Sequence, residues 1–170
     1  MSYRVCKFAS AILVLAISAV VQISPASAET VGFGSGWKSV NFRSIPKTVY
    51  SFGGDTLGIM APKSSSVIYK AIPESARAAT KASWNWSVQT TVPPTNLAKK
   101  GGDDRNIALY FVFTDAATAR REGKNPNIKS LLTKRSSRML IYVFGGQQSP
   151  GSFVPSPYFS GRGTSIVKRG

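Results

Sequence analysis

The residues best equipped for chemistry stand together. Asp103, Asp104 and Arg105 follow directly on Gly101-Gly102. Two adjacent carboxylates at the mouth of a strand can offer oxygen ligands to a hard cation such as calcium. They can also divide the work of an acid and its ionised partner, because proximity pushes their proton affinities apart. The plainer reading of the same triplet is a turn, in which Asp side chains accept from backbone amides and pair with Arg105. Neighbours on an extended strand point to opposite faces, so both carboxylates reach one site only where a turn breaks the pleat. The chain holds only five other acidic residues, Glu29, Asp55, Glu74, Asp115 and Glu122, so a second catalytic carboxylate would be scarce. No cofactor is expected, with calcium at Asp103 and Asp104 as the alternative.

Much other chemistry is excluded by composition. The 170 residues include no His and a single Cys, Cys6. Imidazole bases, Ser-His-Asp triads, Cys-His pairs and His-ligated metals are therefore impossible.

Aromatic residues supply a second kind of candidate. From Ala82 to Val88 the sequence alternates, with Trp84, Trp86 and Val88 on one side and Ser83, Asn85 and Ser87 on the other. Flat indole faces can stack on sugar rings or bases, but strict alternation favours packing into a core. Trp37, in a Gly-rich stretch, is freer to stand exposed and stack on a ligand. Gly145-Gly146, Gln147-Gln148 and the Pro-rich run to Tyr158 read as a long loop, where binding residues tend to sit. The candidate ligand-binding set is thus Asp103, Asp104, Arg105, Trp37, Gln147 and Tyr158.

Charge points to a partner class. With 22 Lys and Arg against 7 Asp and Glu, the net charge is +15. Such a balance steers anionic partners to the surface over a distance. Lipid head groups, acidic polysaccharide and nucleic acid all qualify, but no nucleic-acid motif accompanies the charge.

The first 28 residues read as a secretory leader. Arg4 and Lys7 precede the apolar run Phe8 to Val21, and Ala26-Ser27-Ala28 has the small-x-small form of a cleavage site. The run is shorter than the roughly 20 apolar residues a spanning helix needs. Removing residues 1–28 leaves 142, with 20 basic and 7 acidic residues, a net +13 and no Cys. The expected destination is the periplasm or the exterior of a bacterium, as one soluble domain over 29–170 with no membrane span. Envelope polymers are then nearer partners than genomic DNA.

The elements that must position these residues are mainly strands. Val67 to Ile72, Ala82 to Val88, Asn106 to Phe113 and Arg138 to Phe144 are predicted strands, punctuated by Gly and Pro. Asn106 to Phe113 is apolar on both faces, which predicts a central strand covered on both sides. Asp115 is a plausible N-cap for a helix over Ala116 to Glu122, stopped by Gly123. A second short helix is predicted from Asn125-Pro126 through Lys134. The pattern predicts an all-β domain, a sandwich or jelly roll, with a short basic helical insertion around 115–135.

In order, these segments resemble a bacterial secreted family, domain of unknown function 3047. The resemblance is carried by Trp84-x-Trp86-x-Val88, Lys100 to Asp104, Leu109 to Phe113, Leu140 to Gly146 and Ser156-Pro157-Tyr158. Trp37, Phe42, Ile45-Pro46 and Tyr50 carry it earlier in the chain. It implies an exported β-sandwich of the carbohydrate-binding kind, with no established activity. Family members usually continue into further strands and an acidic motif, which makes this chain look C-terminally shortened, with an unpaired sheet edge. They also tend to place an Arg within the strand after the Asp pair, whereas Arg105 abuts the pair.

The expected function is a non-catalytic binding module for glycan or an anionic envelope polymer. Alternatives are a hydrolase using Asp103 or Asp104 as acid or base, and a shortened structural remnant.

Overall fold

The structure is a computed structural model that describes residues 29–123 and 125–169. The leader read over residues 1–28 lies outside them. Among the described residues eight strands and two short α-helices follow one another in an all-β arrangement with a helical insertion, as the sequence predicts. The strands are β1 (Lys38–Asn41), β2 (Val49–Phe52), β3 (Leu57–Met60), β4 (Ser66–Tyr69), β5 (Ile107–Phe113), β6 (Arg138–Phe144), β7 (Phe153–Pro155) and β8 (Gly163–Arg169). Helices α1 (Ala116–Glu122) and α2 (Ile128–Thr133) lie between β5 and β6.

The first four strands form two separate antiparallel ladders, β1 with β4 and β2 with β3. The β2–β3 ladder is largely exposed, whereas in the β1–β4 ladder β4 is half-buried throughout. The last four form one sheet in the order β5-β6-β8-β7, where β6 and β8 run parallel.

Alternation along these strands gives the sheet two different faces. On one face Met139, Ile141 and Val143 of β6, Val154 of β7 and Val167 of β8 close over Leu97 as the buried core. Ala108, Tyr110 and Val112 of β5, Leu132 of α2 and Phe159 pack against that core. The opposite face carries Phe111, Tyr142 and Phe144, and here the Trp84–Trp86 segment lies across the sheet.

The insertion is held by named contacts. The Asp115 carboxylate caps α1 by accepting from the Thr118 amide at 2.8 Å, and from the hydroxyls of Thr118 and Ser136. Those bonds, the Thr118 amide first, hold the Asp115 carboxyl well below the ordinary range. Arg162 donates to the carbonyls of Leu132 and Lys134, tying the end of α2 to the residue before β8.

The structure departs from the sequence reading at three places. Ala82 to Val88 belongs to no ladder. Its side chains alternate as expected because an extended segment draped over an apolar face has the same period as a paired strand. β5 is an edge strand, not a central one. Its two-sided apolarity reflects core on one face and indole cover on the other, and Phe113 at its end is half exposed. The run read as a loop from Gly145 to Tyr158 contains β7, with Val154 buried. β7 is the other edge strand, where Pro155 is tolerated because an edge residue owes the ladder fewer bonds. β8 lies between β6 and β7 and pairs on both sides. The edges of this sheet are β5 and β7.

Candidate functional site

The turn before β5 does break the pleat, and it separates the two carboxylates. Asp103 is folded inward, its side chain 11% exposed, while Asp104 is exposed. Arg105 Nη1 donates to Asp103 Oδ2 at 2.7 Å and to the Asp103 carbonyl at 3.1 Å. Its Nη2 donates to the Tyr110 hydroxyl at 2.7 Å. Tyr158 Oη donates to the other carboxylate oxygen, Asp103 Oδ1, at 2.6 Å and accepts from the Gly101 amide at 3.0 Å. Lys100 stands 5.9 Å from the centre of the Tyr158 ring.

This cluster joins three of the sequence candidates, Asp103, Arg105 and Tyr158, across 55 residues of chain. Asp103 has both oxygens engaged, and the Tyr158 hydroxyl both donates and accepts. Burial works against the Arg105 charge, but Tyr110 and Asp103 outweigh it and raise its pKa. The hydrogen bond to Asp103 raises the Tyr158 pKa above its ordinary value. Tyr110, which carries the guanidinium on the core side, was not legible as a partner, because in the sequence it is one apolar-strand residue among seven.

The remaining candidates sit elsewhere. Asp104 contributes its carbonyl to the Thr95 hydroxyl. Gln147 bonds the Thr95 carbonyl through its backbone amide, so it joins the same end of the sheet with its side chain exposed. Trp37 is half-buried, not free. Its indole N–H donates to the Gly32 carbonyl at 3.0 Å and its ring stacks on Phe33 at 5.3 Å.

The residues at the Asp pair do not fit calcium. Asp103 already accepts from a guanidinium and a phenol, the cation Arg105 lies within 2.7 Å, and Asp104 does not share its partners. Calcium takes six to eight oxygens. Among the described residues no three His, Cys, Asp or Glu side chains gather into a metal set.

A second constellation lies on the other face. Trp84 packs edge-on to Tyr142 at 4.8 Å and tilted to Phe111 at 5.9 Å, and Trp86 meets Phe144 edge-on at 5.9 Å. Both indoles remain half-exposed. Together with Ala82, Ser83 and Lys168 they line an open depression of about 300 Å³. Lys168 stands 5.3 Å from the centre of the Tyr142 ring, which holds the ammonium beside the aromatic floor. One side of each ring covers the sheet, as the packing reading expects, and the remainder lines the recess. Sequence reasoning missed Lys168. The available signal was the alternation along β8, which puts Ile166 and Lys168 on one face and Val167 on the other.

The depression lies on the face of the sheet opposite the core, and the polar cluster joins the turn before β5 to Tyr110 on the core side, on a scaffold of all-β class with a helical insertion. The chain belongs to the DUF3047 family, proteins of unknown function, whose sequence model matches residues 35–170. No curated protein and no solved structure matches it.

Proposed function

We propose that the chain is an exported, non-catalytic module that binds glycan or an anionic envelope polymer. Residues 1–28 act as its cleaved leader, and the periplasm or cell exterior is its destination. The single observation that supports this most is the Trp84–Trp86–Lys168 depression: two indole surfaces beside one cation. Apolar sugar faces stack on indole, and a carboxylate or phosphate on the same polymer pairs with the ammonium. The recess is open along the surface, which suits a chain running through it better than a small molecule enclosed on all sides. The excess of basic residues adds long-range attraction for the same partners.

The engagement of both Asp103 oxygens by Arg105 and Tyr158 favours binding over hydrolysis at Asp103. A general acid or base needs an oxygen within reach of substrate, and both oxygens of Asp103 are committed to the protein.

The test is retention of the purified chain on peptidoglycan and on acidic polysaccharide at low salt. The expected result is retention released by added salt, with a change in tryptophan fluorescence on binding. Absence of retention on every envelope polymer at low salt would overturn the reading.

A further inference from the structure

A second recess lies between the N-terminal ladder and the helical insertion, away from the Trp84 depression. Its volume is about 310 Å³, at the lower end of the ~300–1,000 Å³ range of small-molecule sites. One wall comes from the β1–β4 ladder, where Val40 and Val67 are register partners and Phe42 follows, 43% exposed. The other wall is α2, whose Ile128 and Leu132 are four residues apart and so lie on one helix face. The Lys38 ammonium donates to Asn125 Oδ1 at 3.0 Å, pinning β1 to the insertion and holding the walls apart at a set distance.

The recess also carries charge of one sign. Arg43 and Lys129 line it, and neither forms an ion pair among the described residues. None of the seven acidic residues lines it. An apolar cleft rimmed by two uncompensated cations suits one class of occupant: an apolar tail ending in an anion. A neutral hydrocarbon would leave both cations unused. A small hydrophilic anion would leave Val40, Phe42, Val67, Ile128 and Leu132 wet.

We infer that this cleft is a binding site for a medium-chain aliphatic carboxylate, its tail between the ladder and α2 and its head group at Arg43 and Lys129. The inference does not depend on the glycan reading, since the two sites share no lining residue.

The experiment titrates the full chain with decanoate, decanol and acetate, each below any micelle-forming concentration, and follows methyl NMR shifts. Decanoate should saturate with shifts at Ile128, Leu132 and Val67, decanol should bind at least tenfold more weakly, and acetate should not bind. Arg43→Gln with Lys129→Gln should weaken decanoate at least tenfold and leave decanol unchanged. Both side chains are exposed, so the melting curve should stay the same and separate lost binding from lost folding. Lys168→Gln should leave decanoate binding intact. Three results would overturn the assignment: no saturable decanoate binding, binding indifferent to the Arg43 and Lys129 changes, or shifts confined to the Trp84 region.

Discussion

Two regions on opposite sides of the same sheet use charged and aromatic residues to contrary purposes. In the Asp103–Arg105–Tyr158 cluster both carboxylate oxygens, both terminal guanidinium nitrogens and the phenol hydroxyl meet other protein groups. In the Trp84–Trp86–Lys168 depression the aromatic rings use one side for the sheet and leave the other available, and the cation rests on a ring instead of a carboxylate. The first arrangement resembles the interior of a protein brought to its surface, with its hydrogen-bonding capacity spent. The second keeps its interaction capacity for something else. Residue type alone does not distinguish a site from a brace; the number of unspent partners does.

The largest expected effect lies where packing and recess coincide. Trp84→Ala should cost about 3 kcal/mol, the low end for Trp truncation because the ring is half-buried. It should also abolish polymer retention, with stability read by chemical denaturation and retention by pull-down. If stability falls but retention does not, the rings are packing only.

Arg105→Ala should cost about 2 kcal/mol, since it strands the Asp103 carboxylate and the Tyr110 hydroxyl together. Lys at this position should not restore the loss, because one ammonium cannot reproduce the planar fork that spans Asp103 and Tyr110. Polymer affinity of the folded fraction should be unchanged. A variant that binds poorly while melting normally would move the site to this cluster.

Tyr158→Phe should cost about 0.5 kcal/mol, the low end for a hydrogen bond, because Tyr158 is 43% exposed. Its pH signature is more specific. The folded pKa of Tyr158 is raised by Asp103, so its stabilising contribution is complete below the unfolded value of about 10 and is lost as pH rises through the folded value. The wild-type chain should therefore lose stability above about pH 10 more steeply than Tyr158→Phe, as read from melting curves across that range.

The smallest effect on stability should come from Asp104→Asn, whose carboxylate is exposed and has no side-chain partner among the described residues. Its melting curve and its polymer retention should both match wild type.

Much of the scaffold was legible in the sequence, for physical reasons that also explain the failures. β6, α1 and its Asp115 cap were readable because strong local signals coincide there: an apolar run, an N-cap and a terminal Gly. β1, β2 and β3 were not, because exposed strands of four residues are too short to show a hydrophobic periodicity. Ala82 to Val88 misled because period two reports extended backbone over an apolar surface, whether or not that backbone is paired. Gly145-Gly146 read as loop punctuation, yet Gly146 has φ +96° and a side chain there would lie 2.7 Å from Leu97. Its absence of a side chain is a packing requirement of the core. For the candidate site, adjacency in sequence suggested that Asp103 and Asp104 would act together. The structure joins Asp103 instead to Tyr158 and separates it from its neighbour, because the partner is chosen by the fold across 55 residues and leaves no local trace.

The most direct test of the account compares Lys168→Gln with Asp103→Asn in one binding titration, using an acidic oligosaccharide and tryptophan fluorescence. Lys168 is exposed, so its variant should melt like wild type, yet bind about fivefold more weakly, the effect of losing roughly 1 kcal/mol from one ionic contact. Asp103→Asn should melt earlier and bind with unchanged affinity. Loss of binding, or of oligosaccharide cleavage, in Asp103→Asn alone would contradict the account and return the site to the carboxylate.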